Sequence, residues 1–274
     1  MVSSFADFEG HWGSSLFKQG TDLEAIARGN LDMTITSAQH MAEFFPEISI
    51  FSAGYVHRDF AHQKAVFNAD FMDALKAKAE SELNVKLLSV SYLGNRHVNL
   101  RTEDRINTPA DLKGIRMRMP GSAAWEFLGT ALGADVVGMA YGEVYTGLQT
   151  GAIDGQDNPL PNDYVMKFYE VTKQIALTGH LADLNYIAIS NKVWDSLDAH
   201  QQAILQGAAN AAAEYASGQT IQKEADLVDF FKGEGLDVYT PDLNAFRTTV
   251  QKAYLESEAA ESWVPGMMEQ INAL

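Results

Sequence analysis

One stretch decides the fold class, and it reads Thr108-Pro109-Ala110-Asp111-Leu112-Lys113-Gly114-Ile115-Arg116-Met117-Arg118-Met119-Pro120. Proline suits the first position of a helix, and Asp111 complements the positive end of the helix dipole. Gly114 ends that short helix, and the next residues alternate with the period of two that is typical of a strand. A helix that passes into a strand through one glycine favours an α/β protein.

The predicted strand places two arginines on the same face. Arg116 and Arg118 alternate with large apolar residues, and Pro120-Gly121 follows where the sheet edge opens toward solvent or a cleft. A buried guanidinium requires an anion. Two partners stay open for Arg118. A carboxylate of the protein is the more common one, whereas a ligand carboxylate would suit the planar, permanently charged guanidinium better than it would suit lysine.

Helix and strand patterns alternate along the rest of the chain. A capping-box pattern at Thr21–Glu24 predicts a helix that ends at Gly29. Further strands are predicted over residues 31–36, 85–92 and 186–190, and helices over residues 60–83, 122–132 and 141–150. From Asp198 to about Lys232 we expect one very long helix, or two joined near Gly218. Such a helix could brace two lobes.

Composition and missing motifs narrow the function. The 274 residues include 20 Lys and Arg against 36 Asp and Glu, and this net charge of -16 excludes an unspecific binder of nucleic acid or of anionic lipid. No apolar run reaches the roughly 18 residues that span a bilayer, so no membrane insertion is expected. The chain has no cysteine, and its seven histidines lack metal-ligand spacing. Without a nucleophile elbow or phosphate loop, we predict no catalytic residue, metal or cofactor, and an enzyme acting on an acid in the cleft is a minor alternative.

Several separated blocks resemble the solute-binding proteins of tripartite ATP-independent periplasmic (TRAP) transporters, the DctP-type receptors. The blocks are residues 29–33, 94–96, 108–120 and 142–159, and the resemblance covers nearly all the chain from about residue 14. It implies a two-lobed α/β fold like that of periplasmic binding proteins, with crossing strands and a long bracing helix. It also implies that the lobes close on a small organic acid and that the loaded receptor docks to the membrane subunits of a TRAP transporter.

The resemblance also implies domain boundaries and a location. Lobe I would comprise residues 1–93 and 184–223, and lobe II residues 94–183 and 224–274. Related receptors have a β-α-β segment ahead of Ser14 that has no match here, so we expect an N-terminally incomplete lobe I with an open sheet edge. Residues 1–7 do not read as a signal peptide. We therefore expect a periplasmic protein whose signal peptide is absent from this chain.

The same resemblance nominates the main ligand contacts. It assigns the carboxylate salt bridge to Arg118 and further contacts to Arg96 and to the side-chain amide of Asn158. Tyr141 aligns with an aromatic wall of the pocket. For Asn158 a simple Asn-Pro turn stays open as an alternative, and for Tyr141 simple packing does.

Three further residues complete the predicted site. Ser37 matches a position near which sialic-acid receptors carry an acidic residue, so Ser37 and Thr36 argue against that ligand. His180 and Asn185 lie near the expected second crossing between the lobes, although His180 could equally be a satisfied core residue. Two arginines, an amide and hydroxyls favour a polyhydroxylated monocarboxylate such as a hexuronate or another sugar acid. A C4-dicarboxylate is the alternative, because Arg96 could bind a second carboxylate.

Overall fold

The computed structural model describes residues 2–274, and residue 1 of the predicted lobe I lies outside them. One seven-stranded sheet organises the chain, in the order β1-β6-β2-β5-β3-β4 with β7 beside β6. Its strands are β1 (Met33–Thr36), β2 (Val85–Leu100), β3 (Arg116–Met119), β4 (Asp135–Gly138), β5 (Gly155–Pro159), β6 (Gln174–Ser190) and β7 (Asp237–Tyr239). Among residues 2–274, strand β1 pairs antiparallel only with β6, and Ile35 on it is 60 % exposed.

Helices cover the sheet. They are α1 (Asp22–Ala27), α2 (Ala38–Met41), α3 (Phe60–Phe67), α4 (Met72–Leu83), α5 (Ala123–Ala131), α6 (Val144–Thr150), α7 (Leu160–Val165), α8 (Asn191–Ser196), α9 (Ala199–Gly233), α10 (Leu243–Leu255), α11 (Glu258–Glu261) and α12 (Met267–Ala273). Short 3-10 helices lie at Val2–Ser4, Trp12–Ser14, Pro46–Ser52, Pro109–Leu112, Tyr141–Glu143 and Phe168–Glu170. No helix within residues 2–274 combines the length and the apolar character needed to cross a membrane.

Two helix starts differ from each other. The predicted capping box at Thr21 is wrong, because the Thr21 hydroxyl donates to the carbonyl of Lys18 instead of accepting from the helix. At Thr108 a capping box does form with Asp111, but it starts a 3-10 turn. The helix predicted over residues 60–83 is two helices, α3 and α4.

Strands β2 and β6 extend from one end of the sheet to the other, and they confirm the expected crossing strands. The last part of β6 pairs with β1 on one side and with the first half of β2 on the other, whereas residues 96–100 of β2 pair with β5. The predicted strands over 85–92 and 186–190 were therefore too short. Gly94 and Gly179, both at positive φ, interrupt the strand pattern, yet pairing continues across them with shifts in register.

Helix α9 braces β2 where that strand passes between the two ends. It is one continuous helix of 35 residues, so Gly218 does not divide it. The hydroxyl of Ser217 accepts the backbone N–H of Tyr92 at 2.9 Å, and the carboxylate of Glu224 accepts the backbone N–H of Asn95 at 2.6 Å and the hydroxyl of Tyr92 at 2.9 Å. These bonds fix the helix to the crossing strand on both sides of Gly94.

A single large apolar cluster lies under both ends of the sheet. It includes Leu23 and Met41 beside β1 as well as Met117 and Met119 of β3, all of them fully buried. Met117 and Met119 thus face the core, and this leaves the opposite face of β3 for Arg118.

Gly94→Ala tests the close approach at the crossing. A β-carbon there would lie 2.6 Å from Cβ of Pro159 and 2.9 Å from the carboxylate of Glu224, at a φ of +125°. We expect the free energy of unfolding in urea to fall by about 1–3 kcal/mol, because the crowded backbone must shift. Gly218→Ala is the control: it has open space inside α9, and alanine should raise stability by about 0.5–1 kcal/mol. Equal stabilities of the two variants would contradict this account.

Candidate functional site

A cavity of about 830 Å3 lies between the two ends of the sheet, and its wall draws on β1, β6, the ends of β3 and β5, and the segment before α1. Six of the seven predicted ligand residues line it, namely Arg118, Arg96, Asn158, Tyr141, Ser37 and Asn185. The fold thus brings residues from distant parts of the sequence to one place.

Arg118 is fully buried on this wall without a carboxylate partner. Its Nε donates to the carbonyl of Met139 at 2.8 Å, and its Nη2 donates to Oε1 of Gln19 at 3.2 Å. Within residues 2–274 no acidic group lies within 4.0 Å of it. Burial, together with the positive charge of Arg96, lowers the pKa of Arg118 to about 10, so the guanidinium is still charged at neutral pH. A buried charge in this state favours an incoming anion.

Arg96 is buried as well, but its charge is already neutralised. Its Nε donates to Oδ2 of Asp157 at 2.6 Å, its Nη1 donates to Oδ2 of Asp183 at 2.8 Å, and its guanidinium lies 4.4 Å from the ring centre of Trp125. Burial alone would lower the pKa of Arg96, but the two carboxylates outweigh burial and raise it. Arg96 therefore has far less need of a ligand carboxylate than Arg118 has.

His180 does not reach the cavity wall, so the structure gives no support to its predicted ligand contact. The side chain is fully buried, with Nε2 3.0 Å from Oδ2 of Asp157 and Nδ1 2.8 Å from the hydroxyl of Thr178. The physical reason is a local bulge: residues 177–180 of β6 lie opposite His97 alone, between the pairs at Arg96 and Val98. His180 thus contacts Asp157, the carboxylate that pairs with Arg96. This is the role of a hydrogen-bonded core residue, which the sequence had left open as the alternative.

Asn185 lies beyond that bulge on regular strand. Asp183, Asn185 and Ile187 all line the cavity, as the alternation of a strand requires.

Asn158 belongs to β5, so the alternative of a simple Asn-Pro turn is wrong. It pairs with His97 in the sheet, and its Nδ2 donates to Oε1 of Gln156. Its side-chain oxygen has no hydrogen-bond partner among residues 2–274 and can accept from a ligand. A buried amide without a complete set of partners is a candidate for ligand contact.

Tyr141 contributes an aromatic wall and a neutral hydroxyl. Its ring centre lies 6.0 Å from the guanidinium of Arg118, and its hydroxyl accepts from Nδ2 of Asn162 at 3.2 Å. Burial raises the pKa of Tyr141 to about 12, so the phenol keeps its proton. Its ring also packs edge to face against Phe168, so the residue combines packing with lining the cavity.

Ser37 lies at the start of α2, where its hydroxyl accepts the backbone N–H of His40 at 3.4 Å. His40 and Gln19 line the cavity too, although neither was among the ligand residues predicted from the sequence. Gln19 Oε1 accepts from Arg118 and, at 3.0 Å, from the backbone N–H of Tyr141. Gln19 belongs to no sequence motif, because its hydrogen-bond partners lie about a hundred residues later in the chain. Ser37 and His40, by contrast, have the spacing of a helix N-cap, and this spacing was a signal that the sequence offered.

The described part of the chain shows no set of side chains arranged as metal ligands. No group of three or more histidine or acidic side chains there is placed to hold an ion.

Comparison with known proteins gives a consistent picture. The family model described as bacterial extracellular solute-binding protein, family 7 (DctP), matches residues 7–261. The sialic acid-binding periplasmic protein SiaP of Vibrio cholerae is 35% identical over 239 residues, which are 86% of this chain and 73% of that protein.

Two solved structures are similar over almost the whole chain. A TRAP periplasmic solute-binding protein from Roseobacter denitrificans, with bound 3-deoxy-D-manno-oct-2-ulosonic acid, is 56% identical, with a TM-score of 0.98 and coverage of 99% of this chain and 90% of that chain. Another, from Xanthobacter autotrophicus with bound β-D-galacturonate, is 25% identical, with a TM-score of 0.88 and coverage of 99% and 90%.

Asp157→Asn tests the internal neutralisation of Arg96. Asp157 does not line the cavity, so the expected effect is on stability: the free energy of unfolding in urea should fall by about 3–5 kcal/mol, because a buried charge loses one of its partners. Asp154→Asn is the matched control, because its partner Arg116 is 47% exposed and such a pair contributes about 0–1 kcal/mol.

The contribution of Asp157 to the free energy of unfolding should also depend on pH. Burial alone would raise the pKa of Asp157, but Arg96 and His180 lower it well below its ordinary value of 3.8. A carboxylate with a depressed folded-state pKa stabilises fully above its ordinary pKa and loses that contribution as the pH falls toward the folded value. The difference between the wild type and Asp157→Asn should therefore shrink below about pH 4. A constant difference down to the acid transition would argue against this network.

Proposed function

Because the chain belongs to the DctP family, family 7 of the bacterial extracellular solute-binding proteins, we propose that it is a periplasmic receptor for a sugar acid. The acid would carry one carboxylate and several hydroxyls. The loaded receptor would deliver it to the membrane subunits of a TRAP transporter.

The state of Arg118 is the observation that carries this proposal. A buried, charged guanidinium on a cavity wall, bonded only to neutral oxygens, loses its hydration without gaining an anion. A ligand carboxylate supplies that anion and two acceptor oxygens in the plane of the guanidinium. The proposed anchor of the ligand is therefore Arg118.

The rest of the wall favours one carboxylate over two. Arg96 is neutralised by Asp157 and Asp183, so a second carboxylate of a C4-dicarboxylate would find no unpaired guanidinium there. Asn158 and Asn185 instead offer neutral donors and acceptors of the kind that hydroxyl groups need. The acids bound by the two similar solved structures, an eight-carbon ulosonic acid and a hexuronate, have this chemistry. We place an ulosonic acid first and a hexuronate second.

The proposed mechanism is closure of two lobes around the acid. We keep the predicted division, with residues 94–183 and 224–274 in the lobe that holds Arg118. Closure desolvates the carboxylate and the guanidinium together, so the ligand stabilises the closed state by its differential contacts. The proposal is for binding without turnover, which the receptor character of the similar proteins supports. Chemical change of the acid on incubation with the protein would contradict that part.

Arg118→Ala should lower the affinity for the sugar acid by about 2–5 kcal/mol, which is about 30-fold or more, because the ligand carboxylate loses its charged partner. Isothermal titration calorimetry with 3-deoxy-D-manno-oct-2-ulosonic acid and with D-galacturonate measures this. Arg116→Ala is the control, because Arg116 lies on the same strand but is exposed and paired with Asp154. It should leave the affinity within about twofold of the wild type.

Three outcomes would count against the proposal. Unchanged affinity of Arg118→Ala would remove Arg118 as the anchor. Binding of succinate and malate in preference to sugar acids would favour the dicarboxylate alternative. No binding of any acid by the wild type would contradict a receptor function.

A further inference from the structure

His40 lies on the cavity wall and has no part in the anchoring of a carboxylate described so far. Its side chain is 9% exposed, and its Nε2 has no hydrogen-bond partner among residues 2–274. Nε2 is not sealed in the core either, because it retains contact with the open space of the cavity. A nearly buried ring nitrogen at an open wall is a group that a ligand can satisfy.

The other ring nitrogen lies beside the hydroxyl of Ser37, and the role of that hydroxyl as donor or acceptor is linked to which nitrogen carries the proton. The oxygen of Ser37 accepts the backbone N–H of His40, so the hydroxyl hydrogen is free to point elsewhere. Nδ1 of His40 lies 3.4 Å from that oxygen. When the hydroxyl donates to Nδ1, a neutral ring must carry its hydrogen on Nε2. The ring then presents an N–H donor to the cavity.

The ring is neutral for a physical reason. Burial lowers the pKa of His40, and the positive charge of Arg118 lowers it further, although the carboxylates of Asp22 and Glu43 act in the opposite direction. Asp22 also lines the cavity and accepts the hydroxyl of Thr34 at 2.7 Å. The cavity that His40 lines thus carries the carboxylate of Asp22 together with two cations, Arg118 and Lys18.

We propose that Nε2–H of His40 donates to a hydroxyl or ring oxygen of the bound acid, with Ser37 as the positioning residue that fixes the tautomer. The inference rests on the proposed receptor function and refines its ligand class. It makes His40 a specificity-determining residue for the uncharged part of the ligand.

Selection against dicarboxylates follows from this arrangement. The carboxylate of the acid pairs with Arg118, so its remaining part extends over the rest of the wall. A second carboxylate next to His40 would meet a neutral ring and the negative charge of Asp22. Hydroxyls can accept from Nε2–H without that repulsion, so the surroundings of His40 favour a hydroxyl over a second carboxylate.

The test compares His40→Ala with His40→Gln by calorimetry at pH 7. The probes are D-galacturonate, 3-deoxy-D-manno-oct-2-ulosonic acid and, as a monocarboxylate with a single hydroxyl, lactate. We expect His40→Ala to weaken binding of both sugar acids by about tenfold, because a ligand oxygen loses its donor, and to leave any lactate affinity unchanged. His40→Gln keeps a neutral N–H donor and should stay within about threefold of the wild type. His200→Ala, at an exposed histidine of α9, is the control without effect.

A spectroscopic measurement distinguishes a role of Ser37 in positioning the His40 proton from a merely structural role. The 15N chemical shifts of the His40 ring in the full chain should report a neutral ring protonated at Nε2 at pH 7, with and without D-galacturonate. Ser37→Ala should redistribute the proton toward Nδ1 and weaken sugar-acid binding while the ring stays in place. A merely structural role of Ser37 would leave the tautomer unchanged.

The outcomes distinguish this inference from the receptor function itself. Wild-type affinity for sugar acids in His40→Ala, or a ring protonated at Nδ1 or at both nitrogens, would overturn the inference and leave the receptor function standing. Should His40→Ala fail to fold, the tautomer measured in the wild type and the affinity of His40→Gln decide the matter. No acid binding by the wild type would overturn the proposed function and the inference together.

Discussion

The site depends on how the charges of two buried arginines are balanced. Arg96 has two carboxylates within hydrogen-bond distance, whereas Arg118 has only neutral oxygens. Transfer of a guanidinium out of water is costly unless an anion replaces the lost hydration. The protein thus completes one pair internally and leaves the other incomplete at a cavity. This asymmetry leaves one buried guanidinium on the cavity wall without a carboxylate partner.

The crossing strands bring these groups together. Strand β2 carries Arg96, and strand β6 carries Asp183 and Asn185, so both strands contribute to the cavity where they pass between the ends of the sheet. The register shifts on β6 turn His180 inward against Asp157 and return the strand to the cavity at Asp183. Helix α9 holds β2 at the same level through Glu224. The irregular part of the sheet is therefore the part that forms the site.

Features that depend on neighbouring residues could be predicted from the sequence. Contacts between residues that are far apart in the chain could not. The alternation around Arg118 indicated a strand with an arginine opposite the core, and the structure has that arrangement because Met117 and Met119 are fully buried. The pairing of Arg96 with Asp157 and Asp183 had no local signature, because the partners are 61 and 87 residues away. The full length of the crossing strands was not predicted, because Gly94 and Gly179 are residues that commonly interrupt a strand. In the structure both glycines lie at positive φ. The family resemblance supplied the two-lobed architecture, which periodicity alone did not give.

The apolar cluster that joins both ends of the sheet has a thermodynamic consequence. Two halves with separate interiors can melt one after the other, whereas halves that share an interior lose their packing together. Leu23 and Met117 belong to the same interior, so disorder in either half exposes apolar surface of the other. The apolar packing therefore forms one cooperative unit that extends across both ends of the sheet.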